Sequence, residues 1–150
     1  MDKQGVWHLQ EKGAFRRESY GEVLEIRRSR TPVSVVPGEG LRSGGRRLEA
    51  DVVFPVLHGT YGEDGTVQGL LECAGLAYVG SGVMSSSLAM DKEKTKEVWR
   101  QAGLPVLDHV TLRSAGQQDL ETVRGRFSLP VFVKPVNLGS SVGIAKVISW

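Results

Sequence analysis

The chain has 150 residues, with 19 Lys or Arg against 17 Asp or Glu, and carries a formal net charge of +2 at pH 7. Its composition, 40% hydrophobic and 24% charged, excludes wholesale disorder, and the small charge does not argue for nucleic acid or a membrane surface. The single cysteine, Cys73, excludes an intrachain disulfide, and no apolar run reaches the ~20 residues needed to cross a bilayer. We therefore expect a soluble protein of a reducing compartment.

The N-terminal third is predicted to contain short strands joined by turns. Residues 6–9 and 33–36 are the apolar candidates for these strands. The segment 38–47 is rich in glycine and arginine and has no hydrophobic period, so we predict an exposed loop there. Its arginines could form a phosphate-binding patch, but a solvated loop is the favoured interpretation.

A βαβ unit is predicted in the middle of the chain. Residues 52–57 form a continuous apolar run, typical of a strand buried on both faces of a parallel sheet. Apolar side chains then recur at helical spacing, namely Val67, Leu70, Leu71 and Ala74. We expect Asp64 to cap the start of this helix and Gly75 to end it. A second strand at 77–79 completes the unit and predicts an α/β fold.

The C-terminal part is predicted to hold helices and a hairpin. Helical material runs from 85 to 102, a strand from 106 to 112 and a short helix from 119 to 126. Strands at 131–134 and 142–147 are joined by seven residues, too few for a crossover helix, so we expect an antiparallel pair. These elements cannot close a core of their own, and the second module looks incomplete.

The connection between the last two strands is the most informative segment for chemistry. Gly139 and Gly143 allow close approach of the backbone to a ligand, and the hydroxyls of Ser140 and Ser141 add donors to a possible anion cradle. Lys134 places a positive charge just before it. No Gly-Lys-Ser/Thr motif is present and a strand follows, so this is not a P-loop. A serine-rich hairpin turn with an exposed lysine explains the same residues, and both interpretations stay open.

Two further positions carry weaker signals. Lys92 begins a helix with Lys94 and Lys96 close behind, and because cations there oppose the helix dipole, a bound anion would explain the cluster. A solvated face offset by neighbouring acids is the preferred interpretation of these lysines. His58 directly follows the apolar run, where α/β sheets place ligand-binding loops, so a general base and a hydrogen bond within the loop both stay open.

Four segments, in this order along the chain, resemble D-alanine–D-alanine ligases. They are residues 53–71 (VFPVLHGTYGEDGTVQGLL), 78–82 (YVGSG), 89–94 (AMDKEK) and 132–143 (FVKPVNLGSSVG). The resemblance implies the ATP-grasp architecture. Residues 1–88 would be the C-terminal part of an α/β N-terminal substrate domain. Residues 89–150 would be the first part of an ATP-grasp domain with its antiparallel hairpin.

The resemblance also implies an activity. In this family ATP phosphorylates the carboxylate of one D-alanine, and the amine of a second D-alanine attacks the acyl phosphate. The dipeptide enters peptidoglycan precursor synthesis, and so cell wall biogenesis and cell shape. ATP and Mg²⁺ are the implied cofactors, and a cytoplasmic homodimer is the implied assembly, with neither nucleic acid nor membrane as a partner. The metal ligands are expected outside this chain, so we expect a fragment that is inactive alone.

Individual roles follow from the same resemblance. Lys92 and Lys134 would contact the phosphates of ATP, and Gly139, Ser140 and Ser141 would hold the phosphate that is transferred. His58 would lie beside the first D-alanine, which Ser140 would also help to orient.

Three other expectations concern the acids of the loop and the alternative functions. Glu63 and Asp64 fall within the matching loop and are given structural roles, and no metal ligand is assigned. A D-alanine–D-lactate ligase shares these motifs and is the nearest alternative. A non-catalytic truncated module that binds a nucleotide is the alternative from another class.

Overall fold

The structure is a computed structural model that describes residues 1, 4–10, 29–113 and 116–150. These residues form two compact units. The first comprises the described part of 1–55 together with 68–80, and the second comprises 56–67 and the described part of 81–150. Both helices and strands are present, which confirms the predicted α/β class. The domain boundary expected after residue 88 stays a prediction.

The first unit contains a four-stranded antiparallel sheet in the order β1-β2-β3-β4. The strands are β1 (Trp7–His8), β2 (Pro32–Val36), β3 (Gly40–Ser43) and β4 (Arg46–Leu48). The strands predicted at 6–9 and 33–36 are confirmed, with β1 shorter than expected.

The loop predicted at 38–47 was wrong, because this segment holds β3, a tight turn and β4. Gly44 and Gly45 have φ angles of 54° and 78°. Two successive positive φ angles are what a type I′ hairpin turn requires, and this turn matches the twist of the flanking strands. Arginine and glycine hide the alternation of a strand, so only the Gly-Gly pair indicated the hairpin.

The predicted βαβ unit is reduced to a single parallel bridge between Val53 and Tyr78. Val53 N donates to Ala77 O at 2.8 Å, and Val79 N donates to Val53 O at 2.9 Å. The parallel direction agrees with the prediction. The prediction that this strand is buried on both faces was wrong, since Phe54 is 69% exposed. Pro55 has no N–H, which prevents a longer ladder here.

Helix α1 (Thr66–Cys73) confirms the helix predicted from hydrophobic spacing. Val67, Leu71 and Ala74 are buried, with Leu71 fully inaccessible, whereas Leu70 is 38% exposed. The helix ends as expected at Gly75, whose φ is 70°. Gly75 N donates to Glu72 O and Leu76 N donates to Leu71 O, both at 3.0 Å, which is the Schellman arrangement.

The second unit contains three further helices and one hairpin. The helices are α2 (Val83–Met90), α3 (Lys92–Gln101) and α4 (Gln117–Arg126). Strands β5 (Val131–Val133) and β6 (Ala145–Val147) pair antiparallel, which confirms the predicted hairpin. The strand predicted at 106–112 was wrong, because in the described chain no strand pairs with this segment and Leu107 is 86% exposed.

Gly65, just before α1, offers a test of the local packing. Its φ is 91°, and a Cβ added there would lie 2.7 Å from Val83 O. We expect Gly65→Ala to lower the free energy of unfolding by about 1–3 kcal/mol, measured by urea denaturation of the full chain. The control is Gly125→Ala in α4, where a Cβ meets nothing within 4 Å. This control should not destabilise the protein, and equal stability of the two variants would contradict the packing described.

Candidate functional site

The loop from His58 to Thr66 is shaped by two carboxylates that accept hydrogen bonds from its own backbone. Glu63 Oε2 accepts from Gly59 N at 2.5 Å. Asp64 Oδ2 accepts from Tyr61 N at 2.8 Å, and Asp64 Oδ1 accepts from Thr66 N at 3.1 Å, the first N–H of α1. Such bonds to ionised acceptors are stronger than neutral ones, so both carboxylates support the shape of the loop.

The pKa of Asp64 is lowered in the folded chain. Burial raises the pKa of Asp64, but the hydrogen bonds from Tyr61 and Thr66 outweigh that effect and leave the pKa below its ordinary value of 3.8. The carboxylate is therefore ionised at neutral pH, which matches its role as a hydrogen-bond acceptor.

The connection between β5 and β6 is held against the start of α3 by Lys92. Lys92 N donates to Val136 O at 3.1 Å. Its ammonium Nζ donates to Val136 O at 3.3 Å and to Leu138 O at 2.5 Å. An ammonium has three donors, so one remains for a further acceptor. At the same helix start, Asp91 Oδ1 accepts from Lys94 N at 2.9 Å.

The predicted anion cradle is a tight turn with unusual backbone geometry. Val142 N donates to Gly139 O at 3.1 Å, and the central residues Ser140 and Ser141 have φ angles of 50° and 60°. Glycine or asparagine usually occupies such positions, and the left-handed conformation costs other residues roughly 1–2 kcal/mol each. Strain of this kind is concentrated at ligand clamps and switch regions. Both serine side chains are exposed.

Gly139 is the point at which three segments of the second unit meet. A Cβ added there would lie 3.4 Å from Glu63 Oε2 and 3.9 Å from Met90 Cε. The loop at 58–66, the end of α2 and the strand connection therefore converge on one glycine. A methyl group at Gly139 would lie in van der Waals contact with the Glu63 carboxylate.

An open cleft of about 480 Å³ lies beside this point. Its volume falls within the range of small-molecule sites. The cleft is lined by Thr60, Asp64, Thr66, Ser87, Met90, Asp91 and Asn137. Sequence reasoning assigned no function to Thr60 or Ser87. Asn137 opens the glycine-serine motif and could have been chosen on that basis, whereas Ser87 is one of three adjacent serines that nothing distinguished.

The remaining predicted residues lie at different places. Lys134 is exposed directly after β5, and the pKa of Lys96 on α3 is lowered first by burial and then by the positive charge of Lys134. His58 is exposed at the start of its loop, and within the described residues it makes no hydrogen bond to Ser140 or Ser141. The structure thus brings Lys92, the strand connection and Glu63 together, but gives no direct link from His58.

Two negative findings apply to residues 1, 4–10, 29–113 and 116–150 alone. Within them no three His, Cys, Asp or Glu side chains are grouped as metal ligands would be. The helices in this part of the chain are all too short or too polar to span a bilayer.

Comparison with known families identifies the class. A sequence model described as the D-ala D-ala ligase N-terminus matches residues 1–81, and one described as the D-ala D-ala ligase C-terminus matches residues 98–150. The chain belongs to the D-alanine–D-alanine ligase family.

Individual relatives agree with this assignment. The chain is 56% identical over 111 residues to a D-alanine–D-alanine ligase of Mycolicibacterium gilvum, covering 74% of this chain and 30% of that protein. The solved D-alanine–D-alanine ligase of Coxiella burnetii superposes with a TM-score of 0.70 at 43% identity, covering 79% of this chain and 36% of that one. The VanG D-Ala:D-Ser ligase of Enterococcus faecalis gives 0.70 at 38% identity, with coverage of 80% and 36%.

The chain thus spans about a third of the length of the relatives that it matches. These similarities confirm the resemblance and the ATP-grasp fold class expected from the sequence.

The acidity of Asp64 generates a pH prediction. Because its pKa is lower in the folded chain than its ordinary value of 3.8, its stabilisation is present above that value and is lost as the pH falls through the folded pKa. We expect Asp64→Asn to lower the free energy of unfolding at pH 7 by about 1 kcal/mol, because the neutral amide has one acceptor oxygen for the two backbone hydrogen bonds that the carboxylate accepts. The difference in the free energy of unfolding between this variant and the wild type should disappear as the pH is lowered. A gap that widens, or an equal loss in the exposed control Asp51→Asn, would argue against this role.

The strained turn generates a second prediction. Replacing Ser141, at φ 60°, by glycine removes the left-handed penalty, so we expect Ser141→Gly to raise the free energy of unfolding by roughly 0.5–1 kcal/mol. The matched change Ser85→Gly, in the interior of α2, should lower it by about 0.5 kcal/mol. Urea denaturation of both variants distinguishes the two signs. A loss of stability in Ser141→Gly would show that the turn is not strained.

Proposed function

We propose that the protein to which these residues belong is an ATP-dependent D-alanine–D-alanine ligase. One D-alanine carboxylate attacks the γ-phosphorus of ATP and releases ADP, and the amine of the second D-alanine then displaces phosphate from the acyl phosphate and loses a proton. The dipeptide serves peptidoglycan precursor synthesis. One observation carries the proposal: Lys92 ties the connection that contains Gly139, Ser140 and Ser141 to the start of α3.

The proposed chemistry requires donors and cations rather than a nucleophilic side chain. A phosphoryl group in transfer spreads negative charge over its oxygens, and preorganised hydrogen-bond donors stabilise that charge. We assign the backbone and hydroxyls of Gly139, Ser140 and Ser141 to this phosphate. The strained backbone at Ser140 and Ser141 supports the assignment, since serine stands at two left-handed positions where glycine would carry no penalty. Lys134 and the third donor of Lys92 supply positive charge beside it.

The first D-alanine is assigned to the neighbourhood of His58 and Ser140. His58 opens the loop that Glu63 and Asp64 hold in shape, and Glu63 lies against Gly139. A shift of this loop would therefore displace both the imidazole and the strand connection. In this proposal Glu63 positions the site, and His58 and Ser140 orient the substrate.

The names of the relatives support D-alanine rather than D-lactate as the second substrate. ATP is assigned as the phosphate donor. The described residues do not fit a magnesium ion, because they hold no group of three potential ligands, so Mg²⁺ is assigned to residues outside them and no step is derived through it. Cytoplasmic location and a homodimer are further parts of the proposal, taken from the family.

A second candidate for the 150 residues taken alone is a module that binds a nucleotide without catalysis, because the described residues hold no group of three potential metal ligands. The chain by itself is then expected to form no dipeptide from ATP and D-alanine. Measurable turnover by these residues alone would refute that candidate.

The ligase proposal is tested by substitution of Lys134 in the full-length protein. We expect Lys134→Ala to reduce the rate of phosphate release with ATP and D-alanine about 100-fold or more, because a charge beside the transferred phosphate is lost. Lys94→Ala is the matched control, since its ammonium pairs with Glu97 at 2.9 Å. Wild-type turnover in Lys134→Ala would contradict the assignment of Lys134 to the site. Absence of turnover in the unaltered protein would refute the ligase proposal. Competition between D-alanine and D-lactate separates the nearest alternative.

A further inference from the structure

Helix α3 carries three cations on one face. Lys92, Lys96 and Arg100 follow each other at intervals of four residues, which places them one turn apart on the same side of the helix. This face is directed at the connection between β5 and β6, because the Lys92 ammonium donates to Val136 O and Leu138 O. Lys134 begins that connection, so its charge lies close to this face.

The acids of α3 are engaged elsewhere. Glu97 pairs with Lys94 at 2.9 Å, and Glu93 pairs with Arg113 at 3.0 Å. Throughout the part of the chain that the structure describes, Lys96 and Lys134 form no ion pair with a carboxylate. The positive charge of Lys134 therefore acts on Lys96 with no paired carboxylate to offset it.

The burial of Lys96 also disfavours its charged form. Lys96 is half-buried, and its pKa is lowered by burial and by the positive charges of Lys134 and Arg100. An anion between these side chains would relieve the repulsion and favour the charged form of the lysine. Lys92 differs, since two of its three donors hold carbonyl oxygens.

We propose that Lys96, together with Lys134, binds the polyphosphate chain of the nucleotide. The inference rests on the proposed function for the identity of the ligand, and it adds a binding residue that the family resemblance did not assign. Lys92 fixes the strand connection, while Lys96 and Lys134 supply the charge that a polyphosphate requires.

The first test uses the unaltered 150-residue chain and inorganic tripolyphosphate. Lysine side-chain NMR follows the titration of Lys96, Lys134 and Lys94 with and without tripolyphosphate. We expect the pKa of Lys96 to rise when tripolyphosphate binds and that of Lys94 to stay unchanged, with adenosine alone producing neither effect. A change at Lys134 without one at Lys96, or no change at either lysine, would overturn the proposal.

The second test is kinetic and uses the full-length protein. We expect Lys96→Met to raise the KM for ATP about tenfold with kcat nearly unchanged, as for the loss of one charge-assisted contact, and Lys96→Arg to restore most of it. Lys94→Met on the opposite side of α3 should behave as wild type. A Lys96→Met variant with wild-type KM would overturn the proposal. Absence of ligase turnover in the unaltered protein would instead refute the proposed function and leave the tripolyphosphate result standing.

Discussion

The candidate site depends on one interaction, the Lys92 ammonium on the carbonyl oxygens of Val136 and Leu138. It joins residues 44 and 46 positions apart, and no local propensity could bring them together. Charge-assisted hydrogen bonds are stronger than neutral ones, so a single side chain can hold the strand connection against α3. The backbone N of Lys92 donates a third hydrogen bond, again to Val136 O. The position of the glycine-serine turn follows from these bonds.

Around this interaction the acidic and the basic side chains make different kinds of contact. The carboxylates of Glu63, Asp64 and Asp91 accept hydrogen bonds from backbone N–H groups and so shape the loop and the helix start. The ammonium groups of Lys96 and Lys134 form no ion pair with a carboxylate among the described residues. The proposed phosphate site is consistent with this division, because its donors must face the ligand while its acceptors are kept occupied. In the proposed site the three carboxylates and Lys92 thus shape the backbone, whereas Lys96 and Lys134 are assigned to the phosphate.

Local patterns predicted some elements well and others poorly. The spacing of Leu71 and its neighbours predicted α1, and the shortness of the strand connection predicted the β5–β6 hairpin. The segment at 38–47 was mistaken for a loop because strands rich in arginine and glycine show no alternation, although Gly44 and Gly45 indicated the turn. The segment at 106–112 has the composition of a strand but no partner strand in the described chain, and a strand exists only when its hydrogen bonds are made.

What the sequence determined by itself is the family, through four motifs in order, and the backbone conformations that glycine permits, such as the helix end at Gly75. What only the tertiary structure decided is which charges meet. Lys92, Lys94 and Lys96 are nearly equivalent in the sequence, yet the first holds carbonyl oxygens, the second pairs with Glu97 and the third lies near Lys134. The physical reason is that a motif encodes local geometry, whereas the partner of a side chain depends on how distant segments pack.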